Sequence, residues 1–460
     1  MACSTSSAGL KFQKRRPRGC RPWPSRSGPL GRPNAAAPVS VGNVVAMGSS
    51  FAWLSPAAAR RARAPERARV ARPRARRQWA LVRGGLPRRH WGAMDDGGIG
   101  RFFLPGPTAV HPEVLRAQVG GMIPHRGPAM RALWAAVQPT LRAVFGTARP
   151  VYVAASSATG LMEAGVRNGV RRRALCLVHG AFGARFADIV RACGRAADVL
   201  EGPPGSAPDP ETVGRRLRAG DHDAVTIVHV ETSTGAMAPL GDLVAAVHEA
   251  ERATGREILL LVDAVTSAGA VPLEVDAWAL DWTLTGSQKA LALPPGLAFA
   301  VASPRLLARA AEQPDRGRYF DALEFERFAD QGETPNTPAL TLLYALAVQA
   351  RRLEVEGLPA RFARHRAMAE RVWAWAEARG VPLLAAPAAR APTVSALEVP
   401  HAPRVVAALA ERGFVVGTGY GPLRDRFLRI GHMGEHGPDH IDRLLDELDT
   451  LWQSLSGAFS

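Results

Sequence analysis

Only four cysteines occur in 460 residues. Cys3 and Cys20 fall near the start, which leaves Cys176 and Cys193 for the rest of the chain. That is neither a disulfide framework nor the paired spacing of a metal cluster, so no metal site is expected and a cytoplasmic setting fits. No apolar run reaches the roughly eighteen residues of a membrane helix; the nearest, residues 39–54, is broken by Gly, Asn and Ser. A secretory signal pattern is absent. Acidic residues are almost missing from the first part of the chain. Residues 1–93 hold 20 Lys and Arg against one acid, Glu66, whereas the remainder holds 38 basic and 40 acidic residues. The net charge of +17 therefore belongs to one segment, and the rest is close to neutral.

Residues 1–93 are rich in Arg, Pro, Gly, Ala and Ser without a sustained period, and are expected to be disordered. Three uses stay open. The segment could touch nucleic acid or an acidic membrane surface. It could be an Arg-rich, acid-poor transit peptide. It could also be an extension ahead of a natural start at Met94, which the sharp change in composition favours. No helix-turn-helix or winged-helix pattern lies in it, so a nucleic-acid-binding factor is a remote alternative.

The neutral remainder carries alternating strand and helix patterns, as a parallel sheet with helices on both faces requires. Residues 152–155, 173–178, 224–230, 257–263 and 297–301 read as strands. Residues 129–145 read as an amphipathic helix that Pro139 should kink or split. Further helices are expected over 161–170, 240–253, 339–354 and 361–379, followed by a βαββα pattern across 394–455.

Two residues stand out chemically. The run Glu257-Ile258-Leu259-Leu260-Leu261-Val262-Asp263 is a strand buried on both faces, and it delivers Asp263 to the carboxyl edge where α/β folds place ligands. A short β-rich run ending in Gly286-Ser287-Gln288 then presents Lys289 among apolar residues. Desolvation lowers the pKa of such an amine and suits it to form a Schiff base. The plainer readings are that Lys289 reaches to solvent and that Asp263 caps a helix.

Asp263-Ala264-Val265-Thr266-Ser267 and Gly286-Ser287-Gln288-Lys289-Ala290-Leu291 resemble the class V aminotransferases, within the fold-type I pyridoxal phosphate enzymes. Leu104-Pro105-Gly106-Pro107-Thr108, Ser156-Ser157-Ala158-Thr159-Gly160, Gly180-Ala181-Phe182-Gly183, Glu231-Thr232-Ser233-Thr234-Gly235 and Leu428-Arg429-Ile430-Gly431 follow in the family's order, over roughly residues 100–455. The alanine–glyoxylate and serine–pyruvate group is the best match. The resemblance implies an α/β fold: a large domain (94–345, with an N-terminal arm) built on a mostly parallel seven-stranded sheet, and a small α+β domain (346–460).

It further implies pyridoxal 5'-phosphate bound as an imine to Lys289, with Asp263 holding the ring nitrogen protonated. Ser157, Ala158 and Thr159, at a helix start, would take the phosphate. Phe182 would stack on the ring, Val265 would pack on its other face, Thr232 would lie near its hydroxyl, and Gln288 would adjoin Lys289. Apart from the motif, Phe182 would be a core aromatic and Arg429 one arginine among many. Within it, Arg429 holds the substrate carboxylate and Gly106 borders the substrate. Thr337 would reach the cofactor phosphate of a second subunit, making a homodimer. Lys289 would act as base and then acid in moving an amino group from alanine or serine to glyoxylate or pyruvate. A 2-aminoethylphosphonate or ureidoglycine aminotransferase, or a lyase, stays open. A cysteine desulfurase does not, because no cysteine follows Cys193. His179 stands where these enzymes often have Asn.

Overall fold

The computed structural model describes residues 97–456. The expectations for residues 1–93, and for a start at Met94, lie outside the described residues. The elements run β1 (Phe102–Phe103), α1 (Pro112–Arg116), α2 (Pro128–Phe145), β2 (Tyr152–Ala155), α3 (Ala158–Gly169), β3 (Arg173–Val178), α4 (Ala181–Ala192), β4 (Ala196–Glu201), α5 (Pro210–Ala219), β5 (Ala224–Val228), β6 (Val230–Glu231), β7 (Ala236–Met237) and α6 (Leu240–Thr254). They continue with β8 (Leu259–Asp263), β9 (Trp282–Gly286), β10 (Leu297–Ala302), α7 (Pro304–Ala311), α8 (Ala322–Ala329), α9 (Leu340–Glu356), α10 (Leu358–Ala378), β11 (Val394–Glu398), α11 (Ala402–Glu411), β12 (Val415–Thr418), β13 (Phe427–Gly431) and α12 (Pro438–Ser456). Among the described residues, no helix is long and apolar enough to cross a membrane.

Seven strands form the large sheet, in the order β2-β10-β9-β8-β5-β3-β4. The pairs β4–β3, β3–β5, β5–β8 and β8–β9 are parallel, and β10 runs against both its neighbours. Strand β8 is buried along its whole length, as its apolar run and two parallel neighbours predict. Burying each of Leu259, Leu260, Leu261 and Val262 contributes about 1.5–3 kcal/mol. At the sheet margin, β4 is half-buried and mixes Asp198 and Glu201 with aliphatics. Its weak alternation explains why no strand is expected there.

Helix α2 is not split at Pro139. Pro139 and Ala135, whose carbonyl loses its helical partner, are both exposed, so water can serve that carbonyl. Helix α3 starts at Ala158 rather than Leu161, which puts Ser157 at its N-cap.

A second sheet has the order β1-β12-β13-β11. Its first strand comes from far away in sequence: Phe102 pairs with Val415 and Phe103 with Val416, in parallel. Phe103 is buried in a separate core with Val372, Leu428, Ile430 and Ile441. His436 fastens this strand. Its Nδ1 accepts from the Gly100 N–H at 3.0 Å and its Nε2 donates to the Phe102 carbonyl at 3.0 Å. Burial holds that ring neutral, with its pKa lowered to about 4.

A buried ion cluster ties this sheet to the Lys289 loop. Arg361, 1% exposed, donates to the Ala290 carbonyl at 2.6 Å and to Glu356 at 2.6 Å. Glu435 pairs with Arg361 and accepts from Gln349 at 2.9 Å and Arg352 at 2.8 Å. Burial opposes ionisation of Glu435, but the Arg361 charge and these donors outweigh it and hold its carboxyl at about 2. Removing one partner of such a pair strands the other. Arg361→Ala should therefore lower the unfolding free energy by about 3–5 kcal/mol in urea titrations. A loss below about 1 kcal/mol would mean that solvent already compensates Glu435.

Candidate active site

Strands β8 and β9 lie side by side, with Asp263 opposite Leu284. Their carboxyl ends therefore deliver Asp263 and the Lys289 loop to one place. Lys289 is 7% exposed, so it does not reach to solvent. Its Nζ donates to the Pro105 carbonyl and lies 3.5 Å from Thr232 Oγ1. Burial is the main force lowering its pKa, to about 7, and the Arg429 charge adds to it; Asp263 and Glu231 pull the other way.

The 104–108 loop forms the lid over this amine. Thr108 Oγ1 donates to the Lys289 carbonyl at 2.9 Å and the Thr108 N–H to the Gln288 carbonyl at 3.0 Å. Gly106 has φ +101°, and a Cβ there would lie 2.5 Å from Lys289 Cε and 2.8 Å from Nζ. The positive φ selects glycine, and a Cβ would in addition push the Lys289 side chain aside.

Asp263 is 4% exposed. Its Oδ1 accepts from the Val265 N–H at 2.8 Å, and Oδ2 has no partner among the described residues. Burial raises its pKa to about 6; Glu231 adds to the rise, while the Val265 N–H, Lys289 and Arg185 oppose it. Thr232 joins the two sides of the site. Its hydroxyl lies 2.6 Å from that of Thr266, and its carbonyl accepts from Arg429 Nη1 at 3.0 Å. Arg429, on β13, also donates from Nε to the Thr418 carbonyl at 2.8 Å. No hydrogen bond within the described residues engages its Nη2.

Two helix starts that follow strands of the large sheet differ in one respect. At α4, the N–H groups of Phe182 and Gly183 donate to Glu231, at 3.0 and 3.1 Å, and that of Ala181 to Ser233 Oγ at 3.1 Å. That positive end already holds an anion. At α3, the Ser157 side chain makes no capping bond, and Ser157 and Thr159 are exposed while Ala158 is buried. The first-turn N–H groups of α3 are thus not taken by a side-chain cap.

Phe182 is half-buried, with Arg185 Cζ 4.8 Å from its ring centre. His179 points elsewhere: its Nδ1 lies 3.0 Å from Ser206 Oγ, beside Gly202. The Gln288 side chain folds back over Gly286. Thr337 is exposed on the loop before α9 and makes no hydrogen bond to these groups within the chain. Sequence reasoning missed the roles of Glu231, Pro105 and Tyr420. For Glu231 a signal existed, since it opens a motif already singled out. Pro105 acts through its carbonyl, and Tyr420 belongs to no motif.

The class-V aminotransferase family matches residues 179–421. An uncharacterized aminotransferase of Methanocaldococcus jannaschii is 35% identical over 74% of this chain and 89% of its own length. The serine–glyoxylate aminotransferase of Methylorubrum extorquens is 31% identical over 74% and 87%. The crystal structure of alanine–glyoxylate aminotransferase from Nostoc sp. superposes with a TM-score of 0.71 at 31% identity, covering 76% of this chain and 95% of that one.

The lowered Lys289 pKa has a measurable consequence in the cofactor-free protein. Between about 7 and the ordinary 10.5 the unfolded chain binds the proton and the folded chain does not. Folding stability must therefore rise with pH across that window. Lys289→Met should flatten the rise and raise stability below pH 7, as read by urea unfolding at several pH values. Parallel profiles for the two proteins would show that Lys289 is not desolvated.

Proposed function

The chain belongs to the class-V aminotransferases, and from that premise we propose that it moves the amino group of a small L-amino acid, alanine or serine, to a 2-oxo acid such as glyoxylate or pyruvate. The cofactor of this reaction is pyridoxal 5'-phosphate. The observation that carries the reading is the desolvated Lys289 amine, set between a buried carboxylate and an arginine with a free Nη2.

The residues fit that cofactor. The open N–H groups at Ser157, Ala158 and Thr159 suit a phosphate, and the filled start of α4 leaves α3 to take it. The free oxygen of Asp263 suits a protonated ring nitrogen. Phe182 and Val265 would bracket the ring, Thr232 would meet its hydroxyl, and Lys289 would hold its carbonyl carbon, with Gln288 beside it. When bound, pyridoxal phosphate supplies a sink for the electron pair released at the amino acid's α-carbon.

The chain's own residues then have defined work. Arg429 binds the substrate carboxylate, and its bonds to the Thr232 and Thr418 carbonyls fix its direction. Lys289 Nζ, with a sizeable neutral fraction at pH 7, can take the α-proton and return it. Thr232 Oγ1 and the Pro105 carbonyl steady Nζ while it does so. Asp263 is ionised above about pH 6 and supplies the negative charge facing the ring. Gly106 and the loop around it keep water off the amine.

We also infer a homodimer in which the partner's Thr337 completes the phosphate site. Thr337 is exposed, and so are the apolar Val119 at 89% and Met122 at 70%.

In an alanine–glyoxylate assay, Lys289→Ala should abolish turnover. Arg429→Ala should raise KM for alanine by roughly 10- to 100-fold, the worth of a charge-assisted hydrogen bond. Full activity in the first variant would remove the assignment, and an unchanged KM in the second would remove Arg429 from substrate binding. Sedimentation should give a dimer mass at micromolar concentration; a monomer would remove Thr337 from the site.

A further inference from the structure

Tyr420 lies on the loop between β12 and β13, and three side chains of the site converge on it. Its ring centre is 5.6 Å from that of Phe182, with 40° between the planes. The Arg429 Cζ is 5.6 Å from the same ring. Its hydroxyl accepts from Arg185 Nη2 at 2.9 Å, and Arg185 lies over Phe182. The Tyr420 ring is thus held by a hydroxyl bond, a tilted aromatic neighbour and a cation. It also links the two sheets, since Phe182 and Arg185 sit on α4, which packs on the large sheet, and Arg429 on β13 of the second.

We propose that Tyr420 is the specificity-determining residue of the site, its ring being the wall that limits the substrate to 2-amino acids with short side chains. A carboxylate that accepts from Arg429 Nη2 lies close to that ring, because the guanidinium carbon is itself 5.6 Å from the ring centre. The α-carbon must then stand between the ring and Lys289 Nζ, and the side chain shares the remaining space with Tyr420. A freely turning aromatic would yield to a longer chain. This one does not, because moving it breaks the Arg185 bond and uncovers Arg429. Alanine and serine are accommodated; norvaline and leucine collide. This inference names the substrate class of the function proposed above and rests on that reading.

The test compares wild type, Tyr420→Ala and Tyr420→Phe, each loaded with pyridoxal phosphate. The first readout is the ratio of kcat/KM for L-norvaline to that for L-alanine, with glyoxylate as acceptor. It should rise by at least roughly 10-fold in Tyr420→Ala, the discrimination expected of one or two methylenes in an apolar pocket. In Tyr420→Phe, which keeps the ring, it should stay within about 3-fold of wild type. The second readout needs no turnover. 2-Methylalanine and isovaline have no α-proton to lose, and their dissociation constants follow from the change in visible absorbance on binding. Tyr420→Ala should strengthen isovaline binding relative to 2-methylalanine by a similar factor, whereas a purely structural role would weaken both equally. Unchanged ratios in Tyr420→Ala would overturn the proposal. So would a wild-type preference for L-aspartate over L-alanine, which would hand selection to the Arg185 cation. Failure of wild type to transaminate any amino acid would instead strike the proposed function, and this inference with it.

Discussion

The amine of Lys289 is held where water has little access, and most of the surrounding arrangement follows from that. An ammonium there is penalised by burial and by the Arg429 charge, and is partly compensated by Asp263 and Glu231. The balance leaves the group poised near neutrality, where it can be an amine or an ammonium at small cost. The Gly106 loop lies close over the amine, where a Cβ at residue 106 would push the Lys289 side chain aside. The loop stays down because Thr108 binds the backbone of Gln288 and Lys289. Position 106 and position 289 are therefore one device, although 183 residues separate them in sequence.

Electrostatic order in the site comes from deciding which positive ends are already satisfied. Glu231 and Ser233 fill the start of α4, so the carboxylate that influences Asp263 and Lys289 is itself immobilised by backbone donors. The start of α3 has no such partner. The contrast between a filled and an uncapped helix start is not visible in the composition of the two segments. The second sheet matters in the same way. Arg429 arrives on β13, and Glu435, shortly after that strand, pairs with Arg361, which also donates to the Ala290 carbonyl of the Lys289 loop. The buried ion cluster thereby ties the segment after β13 to that loop.

Legibility in the sequence tracked how local each signal was. The β8 run declared both a strand and its burial, because an apolar stretch ending in Asp has few other uses. β3 and β13 were legible as short runs dominated by apolar residues, and the βαββα order from the spacing of such runs. Lys289 needed its loop neighbours, since a lone lysine reads as a surface residue. Strand β1 is two residues long and pairs with residues 415 and 416, so nothing local marks it. Strand β4 sits at a sheet edge and lacks alternation. Pro139 does not split α2, because the carbonyl it orphans at Ala135 lies on the exposed face, where it can meet water. Glu231 binds the start of α4 48 residues before it, Arg361 reaches the Ala290 carbonyl 71 residues before it, and Tyr420 bonds Arg185 235 residues before it; no spacing rule reaches that far.

The central claim is that Lys289 Nζ forms a reactive, desolvated amine beside Asp263 and Arg429. The most direct test adds L-alanine to the pyridoxal phosphate-loaded protein with no oxo acid present, and follows the visible absorbance. Loss of the visible band, with pyruvate released in equal amount to enzyme and the band restored by glyoxylate, is the predicted result. A band that forms but does not respond to alanine, serine or any other amino acid would contradict transamination. Absence of any band in the wild-type protein would contradict the role of Lys289 itself.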